Sequence, residues 1–255
     1  MCTTCGCSTH HHAHPDEDTH LQHHHHDNGD GHAVEETVRL EADILGENNK
    51  YAMFNRGFLA ARHVKAFNMV SSPGSGKTTL LEATIKAIDN RRSIAVIEGD
   101  QQTDNDARRI GALGVDAVQI NTANGCHLDA HMVGHAIEDL GIKENSLLFI
   151  ENVGNLVCPA MFDLGETERV VVISVTEGDD KPLKYPLMFS ICDVVIINKI
   201  DVLPYFDFDV EKCKEYIKRR NPNAKVFMIC AKTGEGVDEW ANWLLSEVKN
   251  WRDEK

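Results

Sequence analysis

A phosphate-binding loop constrains this chain more than any other feature of its sequence. The stretch "SSPGSGKTT" (71–79) follows the apolar run "AFNMV" (66–70) and precedes a helical pattern over 77–88. It matches the pattern G-x-x-x-x-G-K-S/T, except that Ser71 stands at the first glycine. In such loops backbone N–H groups and a lysine bind the phosphates, and the next hydroxyl binds Mg²⁺. The nucleotide-binding residues predicted here are Gly74, Ser75, Gly76, Lys77, Thr78 and Thr79.

Apolar runs of strand length alternate with helical patterns after this loop. Strands this apolar are buried on both faces, so we predict an α/β fold, with a mostly parallel sheet flanked by helices, as in P-loop NTPases. The ligands of such sheets bind beyond the carboxyl ends of the strands. The predicted strands cover 66–70, 93–98, 116–120, 146–151, 169–175, 193–198 and 225–230, and the predicted helices 77–88, 107–113, 128–140, 210–219 and 237–251.

The first 32 residues differ in composition from the rest of the chain. They contain 10 of the 14 histidines, three of the eight cysteines and no Lys or Arg. Such a segment buries too little apolar surface to offset the entropy of ordering. We therefore predict a disordered, Cys/His-rich, metal-binding tail over 1–33 and a P-loop domain over 34–255. The domain is expected to begin with two amphipathic helices, 34–49 and 50–64, separated at "GENN".

The acidic balance of the chain limits its partners. With a formal net charge of −14, no basic patch neutralises a phosphate backbone, which argues against nucleic acid as a partner. The start has no basic n-region and no apolar h-region, and no apolar run approaches the roughly 18 residues that cross a membrane. We therefore expect no membrane partner and a cytoplasmic location.

The motif "NKID" predicts which base is bound. Asn198, Lys199 and Asp201 follow a predicted strand, and a carboxylate at Asp201 accepts hydrogen bonds from N1–H and the 2-amino group of guanine. Adenine offers neither donor and would leave the carboxylate unpaired. The later loop "CAKTGEG" (230–236) places the backbone of Ala231 and Lys232 where it would contact the base oxygen. GTP is therefore the predicted nucleotide.

Carboxylates at predicted strand ends are candidates for the chemistry. Asp100 and Glu151 would hold Mg²⁺ together with Thr78, while Asp106 is a weaker candidate for positioning the attacking water. With Lys77, these three acids form the predicted catalytic set. Which of them positions the water stays open.

Thiol and imidazole groups inside the domain are candidates for a second metal site. Cys126 and His127 are adjacent in "GCHL", and Cys158 follows the strand that ends at Glu151. These donors suit Ni²⁺ or Zn²⁺ rather than Mg²⁺. From the residues alone, the interpretation of Cys158 as a buried core cysteine is favoured over that of a metal ligand.

Six motifs taken in order resemble those of the nickel-insertion GTPases of nickel–iron (NiFe) hydrogenase maturation, the HypB family of SIMIBI-class GTPases. They are "SSPGSGKTT", "EGDQQTDNDA", "NGCHLDA", "IENVGNLVCPA", "DDKPLKYP" and "NKID", and the resemblance covers residues 34–250. It implies a GTP-hydrolysing nickel metallochaperone that dimerises on GTP and releases metal on hydrolysis. It also implies metal binding by Cys126, His127 and Cys158 at the dimer interface, and a role for Lys184 at the partner subunit's nucleotide. The implied partners are the nickel chaperone HypA and the precursor of the hydrogenase large subunit.

The tail fits this resemblance, because some members of the family begin with a similar cysteine motif. Cys2, Cys5 and Cys7 form a compact thiolate set for Ni²⁺, Zn²⁺ or Cu⁺, and the histidines would be a weaker reservoir. Two alternatives remain: a nickel storage protein, whose tail is its main function, and the related GTPase of urease maturation.

Overall fold

The computed structural model describes residues 29–100, 105–123 and 125–253. Within these ranges seven parallel strands form one sheet. The strands are β1 (Lys65–Ser71), β2 (Ile94–Asp100), β3 (Asp116–Asn121), β4 (Leu147–Glu151), β5 (Glu168–Ser174), β6 (Val194–Asn198) and β7 (Lys225–Ile229). Their order is β3-β2-β4-β1-β5-β6-β7. The predicted parallel α/β fold is confirmed.

Helices connect the strands. The α-helices are α1 (Gly29–Ala61), α2 (Lys77–Ile88), α3 (Asn105–Gly111), α4 (Ala130–Leu140), α5 (Lys181–Lys184), α6 (Pro186–Ile191), α7 (Val210–Arg220) and α8 (Val237–Asp253). Three short 3₁₀ helices within the described ranges cover Cys158–Ala160, Val175–Glu177 and Ile200–Tyr205. Every predicted strand, and every predicted helix after residue 64, agrees with an observed element to within two residues at each end. Among the described helices, none is long and apolar enough to cross a membrane.

The predicted break between two N-terminal helices is wrong, because α1 runs unbroken through "GENN". A glycine inside a helix costs only about 1 kcal/mol relative to alanine. Asn48, which suggested a helix end, is instead buried and hydrogen-bonded to residues far away in the chain. Residues 40–255 form one unit, and the other unit is described only over 29–39. The boundary predicted at 33/34 stays a prediction, and the tail over 1–28 lies outside the described residues.

Side chains alternate along the central strand and bury both faces of the sheet. Phe67 and Met69 of β1 belong to a core cluster that contains residues of α2 and α8. Ala66, which points the other way, packs in a second cluster with residues of α1 and α4. A third cluster covers β5 and β6 with α6 and α7. The sheet is therefore covered on both faces, and its functional surface is left at the edge formed by the strand ends.

The strand order reverses direction beside β1. From this central strand the chain passes first to β2, β3 and β4 on one side and then to β5, β6 and β7 on the other. Open α/β sheets bind ligands at such a switch point, beyond the carboxyl ends of the strands. The phosphate loop leaves β1 there, and β2, β4 and β6 end at the same edge with Asp100, Glu151 and Asn198.

Candidate functional site

The phosphate loop adopts a backbone that two of its glycines permit. Gly74 has φ 77° and Gly76 has φ 93°, in the region that favours glycine. Gly76 also lies against β6, since a β-carbon there would be 2.6 Å from Asn198 Nδ2. The loop and the start of α2 line a cavity of about 450 Å³. Its other walls are formed by the ends of β2 and β4, which are rich in carboxylates.

The serine that replaces the first glycine of the motif has a partner in the loop. Ser71 is the last residue of β1 and is fully buried. Lys77 Nζ donates a hydrogen bond to Ser71 Oγ over 2.8 Å. Ser71 is not among the residues with positive φ, so this position does not require glycine. The serine at this position is therefore compatible with the loop backbone, and its hydroxyl accepts a hydrogen bond from the lysine.

Gly76 provides a direct test of the loop geometry. Gly76→Ala is expected to lower GTP affinity roughly 10-fold or more, because a left-handed backbone costs an L-residue roughly 1–2 kcal/mol and the new methyl would also displace Asn198. The measurement is a titration with a fluorescent GTP analogue. Gly111→Ala is the control, since a β-carbon there meets nothing within 4 Å. Equal affinity in the two variants would contradict the predicted role of Gly76.

A second cavity, of about 340 Å³, adjoins the first and shares Gly76 and Thr79 with it. A nucleotide spanning both cavities would place its phosphates in the first and its base in the second. The residues predicted to bind guanine line this second cavity. Its lining includes Asn198, Lys199, Asp201, Ala231 and Lys232.

Asn198 joins the phosphate loop to the base loop. Its Nδ2 donates to Ser75 O over 2.8 Å, and its Oδ1 accepts from Ala231 N over 3.2 Å. Lys199 Nζ donates to Gly74 O over 2.6 Å. Because the amide of Ala231 donates to Asn198 in this structure, its predicted contact with the base oxygen stays a prediction, as does that of Lys232.

Asp201 also has a partner that sequence reasoning missed. Cys230, at the end of the strand predicted over 225–230, is buried, and its Sγ donates to Asp201 Oδ1 over 3.1 Å. It also lines the base cavity. The signal available in the sequence was its position at the start of "CAKTGEG", directly after β7. The thiol therefore hydrogen-bonds to one oxygen of the carboxylate that is predicted to bind guanine.

The predicted magnesium ligands meet at the phosphate end. Thr78 Oγ1 donates to Glu151 Oε1 over 2.9 Å, and Asp100 lines the same cavity. A hydroxyl and carboxylates at the first turn of α2 are the hard oxygen donors that Mg²⁺ prefers, so the residues fit the ion. Asp106 lies in the first turn of α3, but its side chain is outside the described part of the structure.

The three predicted thiol and imidazole ligands lie together. The metal-binding atoms of Cys126, His127 and Cys158 all lie within 4.8 Å of one another. The two Sγ atoms are 2.9 Å apart, and Cys126 Sγ is 3.5 Å from His127 Nδ1. Phe162 packs against the imidazole with ring centroids 3.9 Å apart. Burial lowers the pKa of His127, against the opposing charge of Asp129, and so favours the neutral imidazole that binds metals.

The segment after β4 touches both sites. A β-carbon on Gly154 would lie 3.1 Å from Pro73, so this glycine packs closely on the phosphate loop. Asn155 Nδ2 donates to Cys126 O over 3.3 Å. The same segment then enters the 3₁₀ helix Cys158–Ala160. One short stretch of chain therefore contacts the phosphate loop and both thiol-bearing segments.

Asn152 extends this connection into the core. It is 1% exposed, and its Oδ1 accepts from Leu128 N over 3.1 Å. Its Nδ2 donates to Asn68 Oδ1 over 3.3 Å. Sequence reasoning assigned no role to Asn152 or Asn155. The only signal was two amides directly after a strand-end carboxylate in "IENVGN".

A half-buried ion pair after β5 also contacts the phosphate loop, and sequence reasoning missed it. Ser75 Oγ donates to Glu177, and Lys181 Nζ donates to Ser72 Oγ over 2.9 Å. Glu177 and Lys181 themselves are 3.3 Å apart. The sequence shows this only as charges in "TEGDDK" after a strand, a pattern that most often marks a solvated turn.

Lys184 lies outside the lining of both cavities. Its ammonium pairs with Asp180 over 2.8 Å, and this pairing raises the pKa of Lys184. The implied contact with a partner subunit's nucleotide stays a prediction. Cys2, Cys5 and Cys7 lie outside the described residues.

Comparison with known proteins matches this architecture. Residues 65–228 match the family described as CobW/HypB/UreG, nucleotide-binding domain. The chain is 59% identical over 207 residues to the hydrogenase maturation factor HypB of Azotobacter vinelandii, covering 81% of this chain and 68% of that protein. It is 50% identical over 237 residues to the factor of the same name from Escherichia coli K12, covering 93% of this chain and 79% of that one.

A solved structure agrees with the fold. HypB from Helicobacter pylori, crystallised in complex with nickel, superposes with a TM-score of 0.75 at 39% identity. The match covers 80% of this chain and 96% of that one.

Proposed function

This chain belongs to the HypB family of hydrogenase maturation GTPases, and from that premise we propose that it is a nickel metallochaperone whose GTP hydrolysis gates metal release. In this proposal it dimerises on GTP in the cytoplasm, receives or exchanges nickel with the chaperone HypA, and inserts it into the hydrogenase large-subunit precursor. The observation that carries the proposal is the segment 152–158, which contacts the phosphate loop and the thiol cluster at once.

The hydrolytic part of the proposal follows from positioning and charge. Phosphoryl transfer needs the γ-phosphate fixed and its developing negative charge stabilised. The loop amides and Lys77 would bind the β- and γ-oxygens. Thr78, Asp100 and Glu151 would hold Mg²⁺, which supplies positive charge to those oxygens. A carboxylate at the same strand ends would orient the attacking water.

The cargo site is built from soft donors. Two cysteines and one histidine within 4.8 Å offer three ligands, and thiolate with imidazole suits Ni²⁺ or Zn²⁺. Three protein ligands leave a fourth position of a tetrahedral site open to a further donor. Nickel is the cargo that fits a hydrogenase maturation factor.

Coupling between the sites has a short physical route. Loss of a γ-phosphate commonly releases the loop that it ordered. In this chain the segment that follows Glu151 packs on Pro73 and donates through Asn155 to the backbone of Cys126. A shift of this segment after hydrolysis would separate Cys126 from Cys158 and weaken metal binding.

Apolar side chains beside Cys158 support a protein interface there. Val157 is 58% exposed and Met161 51%. The 3₁₀ helix between them packs against α6, where Leu187 is also exposed. Exposed apolar clusters of this kind mark interaction surfaces. We infer that a second copy of the chain covers this apolar cluster in the GTP-bound dimer.

The metal assignment is tested with Cys126→Ala in the full chain. The variant is expected to lose the nickel that the protein gains on addition of a non-hydrolysable GTP analogue, a weakening of roughly 100-fold or more, because loss of a ligand exceeds the effect of losing an outer-shell partner. GTP affinity is expected to stay nearly unchanged. Nickel per protein is measured by metal analysis after size-exclusion chromatography, which also reports dimerisation.

Cys213→Ala is the matched control. Cys213 is fully buried in the core, and burial raises the pKa of its thiol to about 12, so it remains a neutral thiol. Unchanged nickel in the GTP-bound dimer of Cys126→Ala would contradict the assignment.

A further inference from the structure

Two buried asparagines of α1 contact the segments that carry the metal-binding side chains. Asn48 is 6% exposed and Asn55 is 2% exposed. They are seven residues apart, a spacing that places them on one face of the helix. Neither belongs to the thiol and imidazole cluster, and neither was assigned a role from the sequence.

Each asparagine bridges the same two segments. Asn48 Oδ1 accepts from Ala130 N over 2.8 Å, while its Nδ2 donates to Asp163 O over 2.8 Å. Asn55 Nδ2 donates to Ala130 O over 2.7 Å and to Leu164 O over 3.0 Å. The two amides thus tie the start of α4 to the stretch 163–164 twice.

The residues that the two asparagines bridge are close in sequence to the metal-binding residues. Ala130 is the first residue of α4 and follows His127 by three residues. Its N–H has no intrahelical acceptor, because it lies in the first turn, and Asn48 satisfies it. Asp163 follows Cys158 by five residues. The separation of the two ligand-bearing segments therefore depends on how α1 spans them.

Two glycines allow α1 to approach both segments closely. A β-carbon on Gly134 of α4 would lie 2.9 Å from Asn55 Oδ1. Gly165 has φ +88°, and a β-carbon there would lie 2.6 Å from Ala52 O and 2.7 Å from Asn55 Cβ. Both contacts with the helix are thus made at positions where any larger residue would push it away.

We propose that Asn48 and Asn55 are positioning residues of the metal site, through which α1 sets the separation of the Cys126–His127 and Cys158 segments and hence the affinity for the metal. The proposal rests on the proposed function, since it needs the cluster to bind metal. Side chains that hold metal ligands in place from outside the coordination shell typically change affinity by roughly 10- to 100-fold when removed. It assigns α1 a part in metal binding although none of its described residues is a ligand.

The experiment is a nickel titration of the full-length chain in the presence of a non-hydrolysable GTP analogue. The readout is the thiolate-to-nickel charge-transfer absorption that Cys126→Ala removes, which separates this site from any binding by the tail. Asn55→Ala is expected to weaken this binding by roughly 10-fold or more and to change the shape of the absorption band, with GTP affinity unchanged. Gly134→Ala, which displaces the Asn55 amide without removing it, is expected to act in the same direction.

Val248→Ala controls for lost stability. Val248 is fully buried on α8, in the core cluster on the other face of the sheet. The thermal unfolding midpoint of the Val248→Ala protein is compared with that of the Asn55→Ala protein, so that a loss of stability in Asn55→Ala is recognised. Val248→Ala should lower the midpoint but leave the absorption band and the nickel affinity as they are in the unsubstituted protein.

The outcomes separate the two proposals. If Cys126→Ala removes no signal, the metal assignment fails and the positioning proposal fails with it. If Cys126→Ala removes the signal but Asn55→Ala titrates like the unsubstituted protein, only the positioning proposal is overturned. Equal weakening by Val248→Ala would also overturn it, because general destabilisation would then account for the effect.

Discussion

Asp201→Asn is expected to change the base preference of the chain from guanine to xanthine. The ratio of its affinity for GTP to its affinity for xanthosine triphosphate should fall by roughly 10⁴-fold. Guanine presents two donors, N1–H and the 2-amino group, to a carboxylate in the base cavity. An asparagine there turns one acceptor into a donor, which opposes the 2-amino group. Xanthine carries a 2-oxo group in its place, and that oxygen accepts from the new amide. The measurement is a pair of competition titrations, with GTP and with xanthosine triphosphate, against one labelled nucleotide.

Asp207→Asn is the matched control for this exchange. Asp207 is exposed, lies near Asp201 in the chain, and is not part of the base cavity, and its substitution removes the same charge. It should leave the GTP preference unchanged. If Asp201→Asn keeps its preference for GTP, the assignment of guanine recognition to this carboxylate is wrong.

Lys77→Met is expected to lower the rate of GTP hydrolysis by roughly 10²- to 10³-fold, the usual effect of removing one donor that stabilises transition-state charge. Lys77 is 8% exposed, and its ammonium donates to Ser71 Oγ at the end of β1, where the phosphate loop begins. Methionine keeps the unbranched apolar stem and most of the length of the side chain, so the loss is mainly that of the charge. GTP affinity should fall more than GDP affinity, because the lysine is predicted to bind the γ-phosphate. Single-turnover hydrolysis and nucleotide titrations measure both effects.

Lys86→Met serves as the control, since Lys86 is exposed on the same helix and far from the cavity lining. It should hydrolyse GTP at the unsubstituted rate. A Lys77→Met protein that kept full hydrolysis would contradict the assigned role of the loop.

Much of the fold could be predicted because the evidence for it is local. Seven apolar runs predicted seven strands, since a strand buried on both faces must be apolar along its length. The glycines of the phosphate loop are likewise needed for the loop's own backbone. The helix break predicted at "GENN" was wrong because the deciding contacts there are not local. Asn48 hydrogen-bonds to Ala130 and Asp163, which are far away in the chain.

The residues that sequence reasoning missed share one property: their partners are distant in the chain. Glu177 and Lys181 bond to the phosphate loop roughly a hundred positions earlier. Asn155 bonds to Cys126, and Asn55 bonds to Ala130 and Leu164. An amide or a charge in a loop is usually solvated, and only the folded chain distinguishes the few that bond to distant residues.

The sequence by itself determined that this chain binds a nucleotide through a phosphate loop on a parallel sheet, and six ordered motifs indicated the HypB family. It did so because loop glycines, strand-end carboxylates and the guanine motif are each specified by neighbouring residues. Only the tertiary structure decided that Cys126, His127 and Cys158 converge, that one segment touches both the phosphate loop and the thiol cluster, and that α1 spans the ligand-bearing segments. These depend on contacts between residues 29 to 109 positions apart, which the packing of helices on the sheet brings within hydrogen-bonding distance.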